Sequence, residues 1–204
     1  MIQAILHGIF LAFGLILPLG AQNIFVFNQG ANHKSIKRAL PVILTAAICD
    51  TLLITLAVTG VSLFLNTFPT LKLLIYIIGF IFLIYMAYTI WNEKPANDQA
   101  FNALSPKKQI GFALSVSLLN PHAIMDTIGV IGTSASTYEG TYKLAFTVTC
   151  IMVSWCWFFM LAIIGKTVGN IDNNGKITVY INKISALIIL IVSVLILINI
   201  YKMI

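Results

Sequence analysis

The sequence predicts an all-α integral membrane protein of six transmembrane helices, and three observations lead there. Of the 204 residues, 59% are hydrophobic and 9% are charged. A soluble domain carries roughly a quarter charged residues, because it must cover a surface that faces water. The apolar residues also gather into six runs, each near the roughly 20 residues that a helix needs to cross a bilayer. Finally, the runs are long and uniformly apolar, whereas a membrane barrel needs short alternating segments. Hydrocarbon offers the backbone no water, so long apolar runs cross it as helices.

The first run, Ile2 to Asn28, is interrupted by the stretch PLGAQN and closed by the polar, basic QGANHKSIKR. The second, Ala39 to Leu65, holds Asp50 and ends at the turn LNTFPT. The third, Leu71 to Trp91, ends at NEKPANDQAFNALSPKK, the longest polar stretch. The fourth, Gln109 to Ser134, is interrupted at LNPHAIMD and followed by STYEGTY. The fifth, Leu144 to Val168, carries the aromatic run WCWFF and closes at GNIDNNGK, rich in the Gly, Asn and Asp of turns. The sixth is Tyr180 to Tyr201. The whole of 1–204 reads as a single transmembrane domain. Repeat one covers 1–91, a polar cytoplasmic loop 92–108, and repeat two 109–204.

Basic residues flanking the spans orient them. Lys34, Lys37, Arg38, Lys94, Lys107, Lys108, Lys166, Lys176 and Lys183 fall on one side, and Lys72, Lys143 and Lys202 on the other. Nine against three places the first, third and fifth loops in the cytoplasm and both termini outside. Leaving out Lys183, which can lie inside the sixth span, changes nothing. The net charge of +6 is therefore a matter of orientation, and no soluble domain is present to bind nucleic acid. The first apolar run has no Lys or Arg before it and no small-x-small cleavage site, so a cleaved signal peptide is not expected. Cys49, Cys150 and Cys156 lack metal-ligand or redox spacing and read as small buried hydrophobes; no metal and no cofactor are expected.

Internal symmetry appears in the interruptions. Pro18 is followed five residues later by Asn23, and Pro121 five residues later by Asp126. Three spans separate the two sites, which makes the halves inverted repeats. Matched interruptions of this kind point to a transporter's binding site. A proline inside a helix removes a backbone hydrogen bond and clashes with the preceding turn. Pro18 with Gly20, and Pro121, are thus expected to interrupt helices one and four. Gln22 and Asn23, and Asn120, offer amide donors and acceptors beside the breaks. Their bland alternative is a packing kink with the amides bonded to neighbouring helices.

Asp50 and Asp126 are the only carboxylates within spans; Glu93, Asp98, Glu139 and Asp172 fall in loops. A charge at the bilayer centre costs about 2.5 to 3.5 kcal/mol even on the lenient insertion scale. Such acids face a cavity, are protonated, or meet a cation that comes and goes. His122 beside Pro121 is a proton relay, a carboxylate ligand or a packing residue; His7 and His33 read as interfacial. Trp155, in the middle of span five, is either packing or an aromatic wall on which a cation rests. Ser115, Ser117 and Ser154 have no base beside them in the sequence. With no HExxH motif either, an intramembrane enzyme finds little support. A passive channel would not need two buried acids.

The stretches PLGAQNIFVFNQG, ICDTLLI and LLNPHAIMDT, in this order in a six-span chain, resemble the lysine/arginine exporter family of bacterial inner membranes. The WCWFF run also looks like the aromatic run of that family's fifth span. The resemblance implies export of basic L-amino acids, arginine or lysine, driven by the proton or potential gradient. It carries over to Pro18, Gly20, Gln22, Asn23, Asp50, Asn120, Pro121, His122 and Asp126. Family members that export threonine, homoserine or cadmium typically show Pro-Gly-Pro at the first motif, so the arginine/lysine branch is the expected one. The implied partners are a basic amino acid, protons and the lipid bilayer. Asp50 is the first choice for the group shared by proton and substrate cation, and Asp126 the second. Export of a neutral amino acid or a divalent metal cation is the alternative on the same fold, the metal supported only by Cys49 beside Asp50.

Overall fold

The computed structural model describes residues 1–16, 20–33, 35–60, 69–92, 104–120, 124, 127–171 and 176–203. All regular structure among them is helical: α1 (Ile2–Ile16), α2 (Ala21–Asn32), α3 (Ile36–Val58), α4 (Pro69–Trp91), α5 (Pro106–Leu118), a π-helical turn (Thr127–Ile131), α6 (Gly132–Ala135), α7 (Gly140–Ile171) and α8 (Lys176–Met203). By length and composition α3 and α7 can each cross a membrane, and α1 with α2 form a third span if the bent pair is taken as one. The helices α4 and α8 cover the third and sixth apolar runs and pack against each other.

Both interruptions read from the sequence fall between helices. The first run is split into α1 and α2, which meet at a bend of 80°. The fourth run is split into α5, which ends at Leu118 before the Asn-Pro pair, and the π-helical turn with α6. A residue ahead of proline is pushed out of the helical region, so helices end there. The π-helical turn is a further departure from regular helix, of a kind that gathers at functional sites.

The packing follows a regular plan. Both α1 and α2 lie on α7, α5 and the π-helical turn lie on α3, and α3 lies on α7. Gly8 of α1 abuts Phe146 and Thr149 near the start of α7, and Gly30 of α2 abuts Ala162 in its second half. The chain from α1 to α2 therefore runs along α7 in the same sense. The starts of α3 and α5 adjoin, because the Gln109 side chain bonds the Arg38 carbonyl at 3.0 Å. Among the described residues three apolar clusters fill the interior; one is built from Phe25, Val42, Ile43, Trp157 and Phe158 among others. The outer faces carry exposed Phe10, Ile48, Leu52, Met152, Ile163 and Leu187. On a soluble protein such faces would be a liability, whereas lipid tails cover them here.

The packing corrects the reading of one cysteine and shows where other single residues lie. Cys49 and Cys150 are buried, as small hydrophobes should be, but Cys156 is exposed on the outer face of α7. Lys183 does not reach into the interior: it is exposed, with its ammonium 5.7 Å from the centroid of the Trp91 ring. His7 is half-buried and pairs with the Tyr138 hydroxyl at 2.9 Å, and His33 is only 6% exposed.

Candidate functional site

The site is a polar seam where α2, α3 and α7 meet. Gln22 lies in the first turn of α2, immediately after the break, and its side-chain amide donates to Asp50 Oδ1 at 3.0 Å. Ser154, midway along α7, donates its hydroxyl to Asp50 Oδ2 at 2.7 Å. Both carboxylate oxygens are thus held by neutral donors from two different helices. Asp50 itself is half-buried, and among the described residues no lysine or arginine sits on it.

The neighbouring residues extend the seam. Thr51 gives its hydroxyl to the Ala47 carbonyl at 2.8 Å and accepts the Trp155 indole N–H at 3.0 Å. Asn23 spans the break between α1 and α2. Its amide donates to the Ile16 carbonyl, the end of α1, at 2.6 Å, and its oxygen accepts the Trp157 indole N–H at 3.3 Å. The Trp157 ring meets Phe13 of α1 edge-on at 6.3 Å. A carbonyl freed by the interruption must find a donor in a medium without water, and Asn23 supplies one.

Sequence reasoning placed Gln22, Asn23, Asp50 and Trp155 at the site, and the structure brings the four together. Gly20 stands just ahead of α2 in extended backbone (φ −74°, ψ 171°), and a Cβ added there would meet nothing within 4 Å, so there is open space beside the break. Asn120 is buried at the end of α5. Pro18, Pro121, His122 and Asp126 lie outside the described residues.

Three residues of the seam were not singled out in their roles: Ser154, Thr51 and Trp157. Ser154 read as a serine without a base, yet the Asp50 carboxylate is its partner. The signal was present in the helical period. Cys150, Ser154, Trp157 and Leu161 recur at four-, three- and four-residue steps, and all are buried, which puts Ser154 on the inward face. No imidazole completes a nucleophilic arrangement among the described contacts of Ser154. Chemically, the arrangement suits a carboxylate that exchanges neutral donors for a cation. Among the described residues no group of three or more His, Cys, Asp or Glu gathers to hold a metal ion.

A family model described as "LysE type translocator" matches residues 13–200. The candidate amino-acid transporter YisU of Bacillus subtilis (strain 168) is 53% identical over 185 residues, which covers 90% of this chain and 84% of YisU. The arginine exporter protein ArgO of Pectobacterium atrosepticum is 30% identical over 182 residues, 87% of this chain and 88% of the relative. ArgO of Shigella flexneri is 32% identical over 163 residues, 78% and 76% respectively. No solved structure matches the chain significantly.

Proposed function

Since the chain belongs to the LysE-type translocator family, and so to transporters rather than enzymes, we propose that it is a secondary exporter of basic L-amino acids with arginine as its foremost substrate. The observation that carries this reading is the Asp50 carboxylate held at both oxygens by the Gln22 amide and the Ser154 hydroxyl. The planar fork of a guanidinium bonds the same two oxygens when it pairs with a carboxylate bidentately. An incoming guanidinium replaces both donors at once, which frees α2 and α7 from α3 together. A lysine ammonium is a point charge and replaces them less completely. Trp155, fixed by its bond to Thr51, offers a ring face to the arriving cation. The ArgO relatives, named as arginine exporters, support the same substrate.

The coupling follows from charge. Moving one positive charge outward against an inside-negative potential costs about 2.3 kcal/mol per 100 mV. A proton moving inward on the same carboxylate cancels that cost, so one group that binds either cation or proton performs the exchange. The substrate's α-carboxylate and α-amino groups fall to the break, where the start of α2 presents backbone N–H groups and a partial positive charge. The break in the fourth run, with Asn120, Pro121, His122 and Asp126, serves in the same way from the other half.

The packing plan supports six spans in two inverted repeats. The interrupted first span lies on the fifth, the interrupted fourth on the second, the second on the fifth, and the third on the sixth. Exchanging the halves reproduces the same set of pairs. Exposed Lys37, Arg38, Lys107 and Lys108 stand at the adjoining starts of α3 and α5, and this end is the cytoplasmic one. The protein resides in the bacterial inner membrane with both termini outside.

Proton exchange has a direct readout. Arginine added outside proteoliposomes should enter while a proton leaves, so a trapped pH dye should report interior alkalinisation. Arginine entry without any change of interior pH would exclude proton antiport.

A further inference from the structure

A second polar knot lies where the end of α2 and the starts of α3 and α5 meet. The two hydrogens of the Gln109 side-chain NH2 are shared among three acceptors: His33 Nε2 at 2.9 Å, the Arg38 carbonyl at 3.0 Å and the Leu104 carbonyl at 2.8 Å. One amide thus ties the end of α2, the start of α3 and the segment ahead of α5, across sequence separations of 76 and 71 residues. Gln109 is 0% exposed. Burial, with the Arg38 guanidinium nearby, lowers the His33 pKa from its usual 6.5, so the imidazole is neutral and Nε2 can face an amide N–H.

Parts of this knot and its surroundings find no partner within the protein. Among the described residues, three buried side-chain atoms find no protein partner: Gln29 Oε1, His33 Nδ1 and Gln109 Oε1. Leaving such an atom unpaired costs about 1 to 3 kcal/mol, and each case calls for an explanation. All three lie toward one end of the contact between α2 and α5. Gln29 lies one turn before His33, which caps α2, and Gln109 is in the first turn of α5 on its buried face. Two turns further along that face Ser117 bonds the Cys49 thiol, beside Asp50. Polar groups therefore run from the cation-rich end to the level of Asp50.

We propose that the Gln109–His33 contact is the closed inner gate of a transport path that follows the α2–α5 seam to Asp50. With the gate open, water and substrate satisfy the three orphaned atoms; with it closed, their pairing is given up to seal the path. The same helix carries both switches. Gln22 at the start of α2 bonds Asp50, and His33 just past its end bonds Gln109, about 16 Å away at 1.5 Å per residue. Substrate that displaces Gln22 thereby loosens the far end of the same rod. The gate rests on the transporter reading and not on which solute is carried.

Cys49 is a native reporter inside this seam. In a Cys150→Ala, Cys156→Ala background it should react slowly with a small methanethiosulfonate reagent applied to the Lys37/Lys107 face of inside-out vesicles. Gln109→Ala and His33→Ala, made separately, should each speed that reaction about tenfold, as loss of a contact worth about one hydrogen bond implies. If one variant does not accumulate, the other decides. Labelling at the unmodified rate, or acceleration only from the opposite face, overturns the gate. The readout needs no substrate, so it stands or falls separately from arginine export.

Discussion

Asp50→Asn is expected to fold and insert normally and to lose arginine export. The asparagine oxygen can still accept the Gln22 amide, and the new NH2 can donate to the Ser154 hydroxyl, which rotates to accept. Both bonds seen in the structure (3.0 and 2.7 Å) survive in neutral form, and a charge that was expensive in the membrane is gone. Stability should therefore hold or rise. A hydrogen bond to a charged group is worth about 1.5 to 3 kcal/mol, so arginine binding should weaken about tenfold to a hundredfold. The loss in exchange is larger still, because an amide cannot take up a proton in its place. Arginine efflux from preloaded cells at matched protein levels measures this, and such cells should become sensitive to the toxic arginine analogue canavanine. Full efflux by Asp50→Asn would make this carboxylate structural and leave Asp126 to carry the mechanism. Asp126→Asn should show a milder loss, mainly in affinity.

The second large effect is expected at Gly165, and it concerns the fold. Helices α2 and α7 approach backbone to backbone. A Cβ at Gly165 would collide with the Phe27 carbonyl, one at Gly169 with the Ala31 carbonyl, and one at Gly30 with the Ala162 backbone. Small residues that admit such contact are how helices associate where no hydrophobic force between them remains. Backbone cannot step aside as a flexible side chain can. Gly165→Ala should therefore cost about 1 to 3 kcal/mol by overpacking, with a thermal unfolding midpoint several degrees lower in detergent. It should also impair transport, since α2 carries both Gln22 and Asn23. Gly111→Ala, where nothing lies within 4 Å of the added Cβ, is the control and should change little. Equal behaviour of the two variants would show that the close approach is not needed.

Much of the architecture was legible because its causes are local. Asp50 stood out as a carboxylate in an apolar run, and the breaks stood out as Pro and Gly among apolar residues. What stayed hidden depends on partners far along the chain. Ser154 bonds a carboxylate 104 residues away, and a serine inside an apolar helix carries no mark of that partner. Gly30 and Gly169 fall in the polar stretches that close the first and fifth runs and Gly165 inside the fifth run, and nothing local marks that they let two backbones meet. Gln109 looked like the boundary of the fourth span, yet its amide closes three segments together. Lys183 could turn inward or outward from sequence, and the structure shows it exposed, with its ammonium over the Trp91 ring.

The central claim is that Asp50 exchanges a basic amino acid for a proton. Counterflow in proteoliposomes preloaded with arginine tests it most directly, with labelled arginine outside and lysine, threonine or cadmium as competitors. The expected result is transient accumulation of label that lysine suppresses, that threonine and cadmium leave intact, and that Asp50→Asn abolishes. Accumulation that persists in Asp50→Asn, or that threonine or cadmium suppresses while lysine does not, would contradict the claim.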